Sequence, residues 1–388
     1  MKKRIDLVQD TIDKKDIDTL ITWLSTYPRL TKGQVTLDFE KKFAEWIGCD
    51  HAVFVNSGSS ANLLMVYALK YANKLKNNKV CVPSLCWATD LAPVLQLDLE
   101  PVLIDCNLEN LSVDLEHLEL IFKTESPSAL ILVSVLGLSP DMDKITTLCD
   151  KYDVVLLEDN CESQGTSYKG KRLGNFGLMS SFSTYFGHIM STIEGGVITT
   201  NDKEMYDLLL QFRSHGWDRD LDPVKQAEIR KNWNVEDFDA LYTFFIPGFN
   251  LRSTDLQAFI GLGQLDKVDH SIEKRFENYK YFKERLAPHV WFPKDLDESF
   301  TANFAIPVIL DSREKKRSVV KELEENNIAC RPIISGSMGT QPFYKKLYGE
   351  NLLPNCSVAD RRGIYVPNHP LMEKEDIDRI CDIIIRNK

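Results

Sequence analysis

A few short stretches of this chain hold residue types that could do chemistry together. The richest, 181–196, contains Ser183, His188 and the pair Gly195-Gly196. The glycine pair permits a tight backbone turn beside a ligand. An imidazole with an ordinary pKa near ~6.5 can take up or release a proton around neutrality. A single histidine in a loop is more often structural, so His188 alone decides nothing. The run Asn56-Ser57-Gly58-Ser59-Ser60-Ala61-Asn62 offers a second site. Small residues between a strand and a helix let backbone N–H groups approach an anion, and the helix N-terminus adds partial positive charge. A serine N-cap after a glycine turn accounts for the same residues. The third stretch, 154–162, is apolar and ends in Glu158, Asp159 and Glu162. A carboxylate at the C-terminal end of a parallel strand sits where ligands of α/β sheets bind. It can hold a ring nitrogen protonated, although an aspartate capping the next turn is the plainer reading.

The elements that must position these residues follow from apolar patterning. Amphipathic helices are expected over 16–25 and 37–47, where Phe39, Phe43 and Trp46 share a face. Strands are expected over 52–55, 79–83, 100–105, 129–135, 154–158, 181–185 and 196–200, and helices over 61–75, 114–122 and 144–151. This alternation argues for a mostly parallel α/β sheet covered by helices. A long helix is expected to begin within 261–273 and bridge to a second unit. That unit holds a strand over 304–310 and helices over 317–327 and 376–386. The expected division is therefore a large domain, 1–260, and a smaller α+β domain, 261–388. The polar stretch 218–237 is the candidate mobile or substrate-shaping loop.

Bulk properties exclude several classes. The chain has 388 residues, 43% of them hydrophobic and 27% charged, with a net charge of −10. That balance argues against nucleic-acid and membrane-surface binding. No apolar run approaches the roughly 20 residues that span a bilayer, and the charged start, through Lys3, Arg4 and Asp6, does not read as a secretory signal. A cytoplasmic location is expected. The nine cysteines include no C-x-C or C-x-x-C pair and the seven histidines no H-x-x-x-H pair, so reduced thiols and no metal site are expected.

Taken in order, these motifs resemble the sugar aminotransferase and dehydratase family of fold-type I pyridoxal-phosphate enzymes over nearly the whole chain. The resemblance rests on Leu30-Thr31-Lys32-Gly33-Gln34 with Phe39-Glu40, on Asn56 through Asn62, and on Pro83 with Trp87-Ala88-Thr89. It continues through Leu157-Glu158-Asp159-Asn160-Cys161-Glu162-Ser163, the 181–196 stretch, Arg213-Ser214-His215-Gly216-Trp217 and Gly248-Phe249-Asn250-Leu251-Arg252. It implies a seven-stranded, mostly parallel sheet. It also implies that Gly58, Ser59 and Ser183 hold the cofactor phosphate, joined by Asn250 from a second subunit of a homodimer with shared active sites. Trp87 would stack on the pyridine ring, Asp159 pair with its nitrogen, and Glu162 fall near its hydroxyl, where amine-transferring relatives more often carry glutamine. His215, Arg219 and Arg331 are candidates for contacts to the sugar nucleotide.

His188 occupies the position where this family usually carries a lysine that bonds the cofactor. An imidazole there can only move protons, which narrows the resemblance to the 3-dehydratase branch. The cofactor is then expected to work as pyridoxamine phosphate, formed from pyridoxal phosphate with glutamate as amino donor. The implied reaction is C3 dehydration of a GDP-linked 4-keto-6-deoxy sugar in the dideoxysugar biosynthesis of surface polysaccharides, with His188 as base and then acid. A hexose is expected, and a heptose would need only different loop contacts. The iron–sulfur branch needs a C-x-C pair, which is absent. A 4-aminotransferase needs a lysine at 188, and the nearest, Lys169 and Lys171, lie upstream in a polar turn. A catalytically silent relative would have little use for Asp159, Trp87 and the phosphate residues.

Overall fold

A computed structural model describes residues 3–388 of the chain. Its centre is a sheet of β1 (His51–Val55), β2 (Lys79–Pro83), β3 (Glu100–Ile104), β4 (Ala129–Val133), β5 (Val155–Asp159), β6 (Met179–Ser183) and β7 (Gly196–Thr200). Their spatial order is β1-β7-β6-β5-β4-β2-β3. The pairs from β3 to β6 are parallel, whereas β7 runs antiparallel to both β6 and β1. The expected mostly parallel, seven-stranded architecture is what the chain adopts. Every residue of β4 is buried, which is why its sequence is an unbroken apolar run rather than an alternating one.

Two differences from the expected elements bear on the site. The helix after β1 spans Gly58–Tyr71 rather than 61–75. Ser57 stands in extended conformation and its hydroxyl accepts from the Ser60 N–H at 3.1 Å. The capping serine therefore starts the helix at Gly58 and brings Gly58 and Ser59 into its first turn. The stretch 218–237 is not a loop throughout, because Pro223–Trp233 is helical, capped by the Asp222 side chain. None of its residues is buried, so it has no apolar stripe from which a helix could be read. Its anchor is Arg230, whose Nε donates to the buried Asp218 at 2.6 Å.

The expected long helix near 261 is two helices, Asp255–Leu265 and Val268–Leu286. Lys267 leaves the helical region at φ −122°, and its ammonium is held by Asp13 and Asp16 at 2.8 and 2.6 Å. Beyond them a second sheet of β8 (Ile306–Ile309), β9 (Arg331–Pro332) and β10 (Gly363–Val366) is antiparallel, in the order β8-β10-β9. Helices Arg313–Glu325 and Lys374–Arg386 supply Val319, Leu323, Ile377, Ile380 and Ile384 to its core. A separate aromatic cluster of Phe39, Phe43, Phe54 and Phe182 ties helix Gln34–Ile47 to β1 and β6. No helix among the described residues is long and apolar enough to cross a membrane. All nine cysteines are unpaired thiols.

Candidate active site

The C-terminal ends of β5 and β6 bring the chemistry together. Asp159 ends β5 and lies opposite Ser181 in the register, two residues before Ser183 ends β6. Helix Gly58–Tyr71 meets them end-on. A Cβ at position 58 would fall 2.8 Å from the Ser183 Cβ and 2.9 Å from the Cys161 sulfur, so only glycine lets this helix approach so closely. Gly196 is needed for the same reason, since a Cβ there would sit 2.3 Å from the Ser57 carbonyl. Among the described residues the N–H groups of Gly58 and Ser59 have no hydrogen-bond partner, whereas that of Ser60 is taken by Ser57. Two free N–H groups on a helix N-terminus, with the Ser59 and Ser183 hydroxyls, form a cradle suited to a phosphate.

Asp159 is 6% exposed and has no cation within 4 Å among the described residues. Its oxygens accept from Asn62 Nδ2 at 2.6 Å and from the Cys161 N–H at 2.9 Å. Asn62 also donates to Asp90 at 3.2 Å and accepts from the Ser181 hydroxyl at 2.5 Å. Burial, and then the negative charge of Asp159, push Asp90 well above the usual carboxylate range. Two buried acids thus face one another without a protein cation, and a protonated ring nitrogen is the charge this arrangement lacks. Asp90 also accepts from the Trp87 N–H at 3.0 Å, which fixes the start of helix Ala88–Gln96 and leaves the Trp87 side chain 57% exposed. Neither Asn62 nor Asp90 is conspicuous as a functional residue in the sequence. Each sits in the first or second turn of a helix, where a polar residue is unremarkable.

Glu162 accepts from the Leu136 N–H at 2.8 Å, and Leu136 stands in the left-handed region at φ +52°. Burial pushes the Glu162 carboxyl up to about 8. His188 follows β6 in a turn closed by its N–H on the Tyr185 carbonyl. Its Nδ1 lies 3.3 Å from the Ser183 hydroxyl, and its ring rests against Phe304 at 5.5 Å between centroids. Nε2 has no partner among the described residues. Burial pushes this imidazole down to about 4, against the opposing pull of Asp159, so it is neutral at physiological pH. Lys169 and Lys171 are engaged elsewhere, the first paired with Asp143 at 2.6 Å and the second over the Phe176 ring.

The other predicted residues lie farther out. Asn250 is exposed, its Oδ1 accepting from Arg252 Nε at 3.0 Å. Its strand-like segment runs between Ser214 and the start of the Asn56 loop. His215, at φ +61°, packs on Trp217, and the Arg219 guanidinium lies 3.8 Å over the same indole. Arg331 is on the edge strand β9 opposite Tyr365, whose ring reaches Phe304. It lines a groove of about 760 Å³ with Arg313, Lys316, Arg317 and Arg361. Among the described residues no hydrogen bond joins His215 or Arg219 to the Asp159–His188 centre.

Fold and site together define the aminotransferase-like class. Residues 11–385 match the model of the DegT/DnrJ/EryC1/StrS aminotransferase family, and the chain belongs to that family. It is 33% identical over 386 residues to GDP-4-keto-6-deoxy-D-mannose 3-dehydratase of Yersinia pseudotuberculosis, covering 97% of each chain. Among solved structures it resembles Escherichia coli GDP-4-keto-6-deoxy-D-mannose-3-dehydratase with bound hydrated PLP, at a TM-score of 0.90 and 31% identity over 99% of this chain and 100% of that one. A structure of GDP-4-keto-6-deoxymannose-3-dehydratase with a trapped PLP-glutamate geminal diamine matches equally, at TM-score 0.90 and 31% identity over 98% of this chain and 100% of that one.

Proposed function

We propose that this chain is a pyridoxal-phosphate-dependent dehydratase that removes the C3 hydroxyl of a GDP-linked 4-keto-6-deoxy sugar, GDP-4-keto-6-deoxymannose being the substrate that its relatives' names favour. The observation that carries this reading is His188. It stands on Ser183 at the rim of the Asp159 site as a neutral imidazole, while the neighbouring lysines point to other partners. When bound in its amine form, the cofactor supplies an amine for the sugar's C4 ketone and a ring that takes up electrons.

The protein's own groups do the rest. Gly58, Ser59 and Ser183 hold the phosphate, and Asp159 holds the ring nitrogen protonated. Trp87 covers one ring face. Glu162, carrying its proton at neutral pH, accepts from Leu136 on one oxygen and offers a donor on the other, the same pattern a glutamine amide presents. The unpartnered Nε2 of His188 takes up a proton as base, which a neutral imidazole can do at pH 7. The imidazolium then gives it to the hydroxyl leaving C3, which would otherwise depart as hydroxide. Glutamate serves as amino donor.

Asn250 completes the phosphate site of a second copy, so the working unit is a homodimer. Its exposure supports this, as does the half-exposed apolar rim of Tyr185, Phe186 and Ile193 beside His188. Arg219 and Arg331, with His215, contact the nucleotide and sugar. Incubation with pyridoxal phosphate, glutamate and GDP-4-keto-6-deoxymannose, followed by NMR at C3, tests the reading. A methylene at C3 is expected. An intact C3 hydroxyl beside a new C4 amine would overturn it.

A further inference from the structure

The chain buries two arginines completely, and they are treated in opposite ways. Arg213 is 0% exposed and is met by Glu40 and, at 3.1 Å, by Asp220. Arg275, on helix Val268–Leu286, is 1% exposed and has no carboxylate within 4 Å among the described residues. Only Nη1 is bonded, to the carbonyls of Phe304 (3.0 Å) and Asn368, while Nε and Nη2 have no partner. A buried guanidinium without a counter-charge is costly. Burial accordingly pulls it down to about 10, still protonated at neutral pH.

Its placement gives that cost a use. The carbonyl it grips belongs to Phe304, and the Phe304 ring is the surface on which the His188 imidazole rests. The same segment is pinned by Asn368, whose Nδ2 donates at 3.1 Å to the carbonyls of Arg275 and Asn303. Asn303 in turn donates to Leu136, the residue whose N–H binds Glu162. Among the described residues three charged or titratable groups face His188: Asp159 from the end of β5, Arg275 from its helix, and Tyr185 from its own turn.

We propose that Arg275 is a positioning residue for His188: it fixes the Phe304 ring beneath the imidazole, and its uncompensated positive charge adds to burial in making the imidazolium, once formed, a stronger acid. This rests on the reading of His188 as the proton carrier. The arrangement serves both halves of that role. A nearby fixed cation disfavours a resting imidazolium, and it makes the imidazolium, once formed, a stronger acid toward the departing hydroxyl. The burial-driven depression of His188, to which Arg275 contributes in the same direction, agrees with this placement.

The test is an NMR titration of the His188 ring in the full-length, cofactor-free protein, with the signal assigned by its loss in His188→Asn, alongside the pH profile of dehydration by the loaded enzyme. Arg275→Gln should move the His188 titration up by about one pH unit, the size of one charge interaction across roughly 12 Å at an effective dielectric near 20. Arg275→Lys, which keeps the charge, should leave it within about 0.3 unit. If Arg275→Gln does not fold, His369→Glu carries the test. His369 is 7% exposed and feels the Arg275 charge, so a carboxylate there should neutralise the guanidinium and produce the same upward shift. A titration unmoved in the folded neutralising variant, or moved equally by Arg275→Lys, would overturn the proposal. A shifted titration with an unshifted dehydration profile would instead remove His188 from the proton transfer and leave the role of Arg275 standing.

Discussion

Replacing Glu162 by glutamine should stabilise the cofactor-free protein, and by an amount that depends on pH in a defined way. Burial raises this carboxyl from an ordinary 4.5 to about 8. A folded pKa above the unfolded one means that its contribution to stability is fully present below pH 4.5. It is lost progressively as pH rises towards 8, because the unfolded chain releases a proton that the folded chain retains. Each pH unit in that window is about 1.36 kcal/mol, so by pH 7 wild type has given up roughly 3 kcal/mol. Glu162→Gln has no such titration and keeps a carbonyl for the Leu136 N–H. Urea unfolding at pH 4.5, 6, 7 and 8 should show the variant gaining on wild type step by step, from near equality to roughly 3 kcal/mol at pH 7. A gap that does not change with pH would refute the reasoning, and with it the claim that Glu162 carries a proton in the folded protein.

Two more predictions concern the cofactor cradle. Asp159→Asn removes the counter-charge for the ring nitrogen. Hydrogen bonds to charged groups contribute about 1.5–3 kcal/mol, so binding of pyridoxal phosphate should weaken about 10- to 150-fold in a fluorescence titration; unchanged affinity would contradict the pairing. Gly58→Ala drives a methyl to within 2.8 Å of the Ser183 Cβ and should push the helix N-terminus away from the phosphate. Affinity for pyridoxal phosphate should fall at least tenfold, while binding of pyridoxal, which lacks the phosphate, should change little; equal losses for both would contradict the assignment of the cradle.

Much of this was legible in the sequence because burial writes itself into composition. Strands β2 and β7 span the expected bounds, Lys79–Pro83 and Gly196–Thr200, around their apolar centres. Elements without such a signal are not legible. The helix Pro223–Trp233 buries nothing and reads as loop, and the break at Lys267 is set by Asp13 and Asp16, distant in sequence. The start of the helix at Gly58 was hidden because a glycine suggests a turn, whereas here it is the residue that lets the helix reach Ser183. Residues that are defined only by a partner were not legible at all. Asp90 is raised by its burial and then by the charge of Asp159, and Arg275 is notable only for the carboxylates it lacks.

The central claim is that position 188 moves protons and does not tether the cofactor. His188→Lys tests it most directly, with C3 dehydration of GDP-4-keto-6-deoxymannose and borohydride trapping measured on the same preparation. Wild type should dehydrate and yield no lysine adduct. The variant should gain visible absorbance and a borohydride-stable bond at Lys in place of His188, and lose dehydration by at least about 100-fold, the scale of a missing general acid–base. Dehydration that survives this substitution at the wild-type rate would contradict the account.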